Sequence, residues 1–160
     1  MNYCSQCGLT LIEKLDNEGS EIPYCSECQQ YYYPVFNSAV SLIIFNQEKT
    51  HVMLARHVGV KDYVLIAGYI NKGENANEAV IRELKEETNL NVLTYEYNDN
   101  RYFERTNTLI HNFIVTVDDA PLQLNEELSD VQWVKTEESL EFIRPGSLAK
   151  EFLNIALNKN

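Results

Sequence analysis

Short hydrophobic runs, separated by polar turn sequences, recur along the chain and predict a protein rich in β-strands. SAVSLIIF at 38–45 and HVMLAR at 51–56 flank the turn NQEKT, so they predict a β-hairpin. In TLIHNFIVTV at 108–117, two sets of residues alternate with a period of two, which predicts a strand whose successive side chains point to opposite faces. Four more strands are predicted at 63–68, 91–97, 101–104 and 131–134.

A different period, with apolar residues three and four positions apart, predicts helices. Positions 76, 79, 80 and 84 have this spacing and predict a helix over about 75–88, with Asn75 or Asn77 as its N-cap. Two further helices are predicted at 137–143 and 147–158. One long helix within a mostly β chain and another at its end predict the α+β class, with a sheet between helices. Trp133 is expected in the core. The histidines lack metal-ligand spacing and are expected to be structural: His51, His57 and His111.

Four cysteines lie within the first 28 residues, at Cys4, Cys7, Cys25 and Cys28. Two C-x2-C pairs at this separation favour one tetrahedral zinc site. The alternatives are two disulfides or four unrelated thiols. LTLIEK and SEIPY predict two ribbon strands around the turn DNEGS. A unit this small cannot bury a core, so zinc would supply its folding energy.

Pro34 disfavours a continuous element after the last cysteine, so we predict a zinc ribbon at 1–33 and a second domain at 34–160. The formal net charge of −11 argues against nonspecific nucleic-acid binding, which requires lysine and arginine. The chain has neither a run of about 20 apolar residues nor a secretion signal. The expectation is a cytoplasmic protein without a membrane span.

The predicted helix at 75–88 carries an unusual number of carboxylates. Glu83 and Glu87 are four residues apart and share one face, and Glu86 borders that face. One explanation is a solvated surface that interacts with Arg82 and Lys85. The other is a metal site, because hard divalent cations prefer clustered carboxylate oxygens.

The residues around these glutamates resemble the box of the Nudix hydrolases, G-x5-E-x7-R-E-U-x-E-E-x-G-U, where U is a bulky aliphatic residue. One position departs from it, since Asn89 stands where the family has glycine. Asn is the next residue able to adopt the left-handed backbone that ends a helix, so we expect Asn89 to keep the turn. The matching residues are Gly68, Glu74, Arg82, Glu83, Leu84, Glu86, Glu87 and Leu90.

The resemblance implies a mixed sheet in an α/β/α sandwich and hydrolysis of a nucleoside diphosphate linked to another moiety, with Mg²⁺ or Mn²⁺. It implies that Arg82 and Glu74 brace the helix. NEELSDVQWV resembles the family's late acidic strand, which adds Glu127 as a further ligand or base, although Glu126 is an alternative. The implied metal ligands are the Gly68 carbonyl, Glu83, Glu86, Glu87 and Glu127.

A zinc ribbon ahead of such a domain is similar to the NADH pyrophosphatase branch, as is PGSLAKEFL near the end of the chain. The S-Q-P-W-P-F-P motif of that branch is absent. NRYFERT stands at its spacing and retains one aromatic residue, Phe103. NADH, ADP-ribose and related compounds therefore remain open as substrates. Tyr33, Tyr102 and Phe103 are candidates to stack on a substrate base.

The branch resemblance, together with the aromatic run YYYPVF, predicts a homodimer with the ribbon near its interface. A different class of function also stays open. The chain would then be a ligand sensor that keeps the Nudix fold without turnover, or a zinc-ribbon regulator that binds nucleic acid. The three helix carboxylates and the acidic charge favour the enzyme, for which nucleic acid is not an expected partner.

Overall fold

The computed structural model describes residues 2–159, which divide into two compact units between Phe36 and Asn37. The first unit contains three antiparallel strands, β1 (Ile12–Leu15), β2 (Glu21–Cys25) and β3 (Gln30–Tyr31), in the order β1-β2-β3. The predicted ribbon hairpin is therefore confirmed. Asp16 shapes its turn, because Oδ1 accepts the backbone N–H groups of Glu18 and Ser20, both at 2.9 Å.

The second unit contains one mixed sheet and three helices. Its strands are β4 (Asn37–Phe45), β5 (His51–His57), β6 (Ile66–Tyr69), β7 (Val92–Phe103), β8 (Thr108–Val117) and β9 (Leu128–Lys135). Its helices are α1 (Ala76–Thr88), α2 (Ser139–Phe142) and α3 (Leu148–Leu157). The sheet has the order β7-β8-β4-β5-β9, with β6 also paired to β4.

The centre of the sheet is buried on both faces, between α1 on one side and α3 on the other, which confirms the predicted α/β/α sandwich. β4 lies at its centre, parallel to β8 and antiparallel to β5 and β6. Alternate residues of β4 enter opposite cores, with Leu42 packed on the α1 side and Ile43 on the α3 side. This two-sided burial explains why β4 is almost continuously hydrophobic rather than alternating. Within residues 2–159, no helix combines the length and the hydrophobicity that crossing a bilayer requires.

Both ends of α1 are capped as the sequence predicts. Asn75 is the N-cap, and with Glu78 it forms a reciprocal capping box. Asn89 has φ 63° at the C-cap, in the left-handed region. Its backbone N–H and its carbonyl both contact Lys85, whose Nζ donates to the Asn89 carbonyl at 2.8 Å. Asparagine thus provides the helix stop that glycine provides in the Nudix box.

Three sequence predictions need correction. The segments 91–97 and 101–104 form one strand, β7, because the polar sequence between them is not a turn. Asn98 is instead buried at an irregularity of β7, where Nδ2 donates to Asn112 Oδ1 at 2.9 Å and to the Phe152 carbonyl at 3.0 Å.

The helix predicted at 137–143 is only the single turn α2, which follows a 3-10 turn. Trp133 is 40% exposed rather than in the core, because β9 is an edge strand.

Candidate active site

One cleft of the second unit collects most of the candidate site residues. It has a volume of about 550 Å³ and lies where α1, the sheet and the loop before β9 meet. The loop contributes Glu127, and Glu126 is not among the lining residues. The lining from the sheet and α1 includes Gly68, Tyr69, Thr108, Arg82, Glu83 and Glu86.

Two carboxylates of α1, those of Glu83 and Glu87, are buried rather than exposed to solvent. Glu83 and Glu87 are only 8% and 2% exposed, whereas the Glu86 side chain is 57% exposed. The Glu83 carboxylate lies against the backbone of Gly68, where a Cβ atom would sit 2.0 Å from Glu83 Cδ. Any larger residue at 68 would displace this carboxylate. The buried face of a helix is thus acidic here, which excludes a purely solvated surface for these two glutamates.

Arg82 holds the segment that precedes α1 against the helix. Its Nε and Nη2 donate to the two oxygens of Glu74 at 2.7 and 2.9 Å, a bidentate pair. Nη2 also donates to the Tyr69 carbonyl, and Nη1 donates to Glu83 Oε1 at 2.6 Å and to Glu86 Oε2 at 3.0 Å. The guanidinium lowers the pKa of Glu74 to about 2. Glu74 therefore stays ionised and holds Arg82 in place.

Glu87 is the most unusual carboxylate of the site. Its Oε2 is buried and has no hydrogen-bond partner among the described residues. Burial, together with the charges of Glu83, Glu127 and Glu86, raises the pKa of Glu87 to about 8. A buried acid surrounded by other acids is costly unless a cation compensates it. This is the property expected of a ligand to a hard divalent ion.

The loop before β9 is organised by Asn125, a residue that the sequence patterns did not single out. Asn125 Oδ1 accepts the backbone N–H groups of Glu127 at 3.1 Å and Leu128 at 3.3 Å. Its own N–H donates to the Glu87 carbonyl at 3.3 Å, and Val58 N–H donates to the Glu127 carbonyl at 3.0 Å. Asn125 thereby ties the backbone that carries Glu127 to the end of α1. The sequence did contain a signal for this role, because Asn125 lies two residues before Glu127. Asn side chains commonly accept a hydrogen bond from the backbone N–H two residues later in the chain.

The three aromatic candidates for substrate stacking occupy different places. Tyr33 belongs to the first unit, where its hydroxyl donates to Asp16 Oδ2 at 3.4 Å. Tyr102 and Phe103 end β7 and are 52% and 38% exposed. Phe103 pairs with Thr108, which lines the cleft, so these two side chains lie one strand away from it.

The four cysteines of the first unit form a cluster with the dimensions of a metal site. All four are free thiols, and their sulfur atoms lie within 4.8 Å of one another. The Cys4–Cys28 and Cys7–Cys25 Sγ distances are 3.7 and 3.6 Å. A tetrahedron with Zn–S bonds of about 2.3 Å has edges of about 3.8 Å. The cluster therefore fits zinc, and these separations exclude the alternative of two formed disulfides.

Tyr32 adds a hydrogen bond outside this cluster. Its hydroxyl lies 2.9 Å from Cys4 Sγ, and this contact lowers the pKa of the Cys4 thiol to about 6. Hydrogen bonds to the charged form of a thiol favour the thiolate, which is the form that binds metal. The neighbouring thiols raise the pKa of Cys28 and of Cys7 instead, so the argument for zinc rests on the geometry of the four sulfur atoms.

The family model described as the NUDIX domain matches residues 35–152. The NAD-capped RNA hydrolase NudC of Vibrio parahaemolyticus is 26% identical over 156 residues, which cover 96% of this chain and 58% of that protein. NudC of Vibrio vulnificus is 27% identical over 161 residues, which cover 98% of this chain and 59% of that protein. The chain therefore spans less than two thirds of the length of these relatives.

Solved structures show the same fold at low sequence identity. A NUDIX hydrolase from Nitrosomonas europaea has a TM-score of 0.67 at 19% identity and covers 100% of this chain and 92% of its own. The NUDIX domain of Shewanella oneidensis NrtR, complexed with ADP ribose, has a TM-score of 0.65 at 16% identity, covering 85% and 93%. The family match spans most of the chain and includes every residue of the cleft, and on this basis the chain belongs to the NUDIX domain family.

Proposed function

We propose that the chain is a metal-dependent pyrophosphohydrolase that cleaves a nucleoside diphosphate linked to another moiety, such as NADH or ADP-ribose. The observation that carries this proposal is the buried Glu87 carboxylate, whose Oε2 has no hydrogen-bond partner among the described residues. Glu87 itself does not line the cleft, but the charges of three glutamates that do line it, Glu83, Glu127 and Glu86, act on its carboxylate. Structural glutamates are not normally buried together without cations. The cluster instead has the composition of a site that acts on phosphates through bound metal ions.

The residues present fit Mg²⁺ or Mn²⁺, which prefer carboxylate and carbonyl oxygens. Glu83, Glu86, Glu87, Glu127 and the Gly68 carbonyl would hold the ions, which when bound neutralise phosphate charge and activate the attacking water.

The protein's own residues supply position and charge. Arg82 orients Glu83 and Glu86 while Glu74 fixes Arg82, so the carboxylates are set before any cation binds. Because the pKa of Glu87 is about 8, this residue holds a proton at neutral pH in the metal-free protein. Binding of a divalent cation would therefore release a proton, and affinity for the cation should increase with pH.

Substrate range is best tested with a panel of compounds that share the diphosphate. NADH, NAD⁺, ADP-ribose, a nucleotide sugar and an NAD-capped RNA oligonucleotide would be incubated with Mg²⁺ or Mn²⁺, and the released nucleoside monophosphate measured. The curated relatives are named as NAD-capped RNA hydrolases, which justifies the RNA arm. Turnover of at least one compound is expected. Tight binding of a compound with no turnover of any would overturn the proposal and favour the ligand sensor.

We extend the proposal to the first unit and to assembly. Residues 1–33 would be a zinc ribbon with one structural Zn²⁺ on Cys4, Cys7, Cys25 and Cys28, and residues 34–160 the hydrolase domain. Four thiolates leave no open position for water, so this metal would not take part in hydrolysis. A homodimer remains a prediction, and light scattering at micromolar concentration that gives a monomeric mass would contradict it.

Asn125 should matter for turnover although it is not among the residues that line the cleft. Asn125→Ala removes the acceptor for the Glu127 and Leu128 N–H groups, so Glu127 loses its fixed position. We expect turnover to fall roughly 10–100-fold and the Mn²⁺ concentration for half-maximal rate to rise, the usual result of losing a residue that orients a metal ligand. Asn125→Asp, which keeps the accepting oxygen, should restore most of the rate.

The matched control is Asn154→Ala, the same change at an exposed position of α3. The metal-free melting temperature of Asn125→Ala should stay close to that of this control. An equal loss in the Asp and Ala variants, or a loss explained by a lower melting temperature, would remove Asn125 from the positioning role.

A further inference from the structure

A second cleft lies on the α1 side of the sheet, at the opposite end of β5 and β9 from the carboxylates. Its volume is about 400 Å³, within the range of small-molecule sites. It shares no lining residue with the acidic cleft. Glu127 of the acidic cleft immediately precedes Leu128, the first residue of β9. Trp133 lies five residues further along this strand, so the two clefts are about 17 Å apart along β9.

The floor of the second cleft is aromatic and apolar. Trp133 lines it and remains 40% exposed, an unusual amount for the chain's only tryptophan. Leu90, Val117 and Leu122 form apolar walls beside it. A large flat ring left accessible in a concave, mostly apolar site provides a surface on which a planar heteroaromatic ligand can stack.

The polar lining contains Asn46 and His51 as well as the carboxylates of Asp118 and Asp119. The Asn46 amide is already bonded to Glu48, Thr50 and the His51 backbone, so the two carboxylates supply most of the polar chemistry that a ligand meets in the cleft. Asp119 lines it, and Gln47 Nε2 donates to Asp119 Oδ2 at 3.0 Å, which fixes the carboxylate while leaving further acceptor positions on it. Neighbouring Asp118 is engaged by Asn91, whose N–H and Nδ2 donate to it at 3.0 and 2.6 Å. The two carboxylates therefore favour a ligand that presents N–H donors toward Asp119 rather than a phosphate.

We propose that this second cleft binds a guanine base, stacked on Trp133 and held through its N1–H and N2–H groups by the Asp119 carboxylate. Among the common bases, guanine alone presents two adjacent N–H donors on its Watson–Crick edge, and a carboxylate accepts two parallel bonds in one plane. Adenine, cytosine and uracil each leave one carboxylate oxygen facing an acceptor or a C–H group. The inference does not depend on hydrolytic activity, because it concerns residues outside the acidic cleft.

The single tryptophan provides the measurement. In ¹⁵N-labelled protein its indole N–H gives one NMR cross-peak, which would be followed as guanosine, adenosine, cytidine or uridine is added without divalent metal. Nucleosides are chosen because they carry no pyrophosphate to hydrolyse and no phosphate to be repelled by Asp118 and Asp119. Guanosine should shift the indole peak saturably, with an affinity about 10-fold or more above that of the other three.

Asp119→Asn tests the acceptor role, because it exchanges one carboxylate oxygen for a donor while keeping the shape. The guanosine preference should fall at least about 10-fold in this variant. Glu96→Gln, the same loss of charge at an exposed position of β7, should leave the titration unchanged. Equal shifts with all four nucleosides, no shift with guanosine at millimolar concentration, or an unchanged preference in Asp119→Asn would each overturn the proposal.

Discussion

Replacing Glu87 with glutamine should reduce turnover roughly 10²–10⁴-fold at saturating Mg²⁺ while leaving the fold intact. Glutamine preserves the shape and the helix propensity of the side chain but removes the charge that attracts a hard cation. Glu87 is only 2% exposed, and its Oε2 has no hydrogen-bond partner among the described residues. No described residue therefore donates a hydrogen bond that would stabilise a negative charge on this oxygen atom. Glu83→Gln should act in the same direction.

The same substitution should stabilise the metal-free protein, and more so as pH rises. The folded-state pKa of Glu87 is about 8 against an ordinary value of 4.5, so between these values the folded state binds a proton that the unfolded state has lost. The free energy of unfolding of the wild type therefore falls as pH rises through this window and levels off above about pH 8. Glutamine removes this loss, so the melting temperature of Glu87→Gln should exceed that of the wild type at pH 8 and approach it near pH 5.

Glu78→Gln is the matched control on the same helix. Glu78 takes part in the capping box, and glutamine performs the same capping role, so both turnover and stability should remain near the wild type. The measurements are turnover with saturating Mg²⁺ and melting temperature without metal at several pH values. Near wild-type turnover in both Glu83→Gln and Glu87→Gln would contradict the assigned site, whatever the melting data show.

The residues that the sequence identified are those whose roles depend on local spacing. Glu83, Glu86 and Glu87 share a helix face because of the 3.6-residue period, and Asn89 ends that helix because of its backbone preference. The hairpin of β4 and β5 was likewise visible from two hydrophobic runs and one turn sequence. Each of these inferences needs only neighbours along the chain.

The features that the sequence did not reveal depend on distant partners. Asn98 resembles a turn residue until β7 brings it to Asn112 and the Phe152 carbonyl, where its polar group is satisfied inside the sandwich. Asn125 acquires its role only when the loop before β9 reaches the carbonyl of Glu87. Trp133 seemed a core residue because large aromatics usually are, and only the strand order places it at an edge. Sheet order is not encoded in the hydrophobic pattern of single strands.

Removing zinc should unfold the first unit while the second unit stays folded. Among the described residues of the first unit, only Cys4 and Cys25 are buried, so the unit has no apolar core to replace the metal. Structural zinc sites in small units supply the folding free energy directly. The second unit contains two hydrophobic cores of its own, on either side of the sheet. The predicted content is about one Zn²⁺ per chain, and a chelator should abolish the dispersed NMR signals of residues 2–36 alone.

Cys7→Ser should reproduce this loss in the presence of zinc, because a serine hydroxyl is not a thiolate ligand. Ser26→Ala is the control, since Ser26 is exposed between two of the cysteines and supplies no ligand atom to the cluster. It should keep full zinc content and full signal dispersion. Dispersed signals for residues 2–36 in a chelated, reduced sample with no measurable zinc would show that the first unit is held by protein contacts alone, and the zinc assignment would then be wrong.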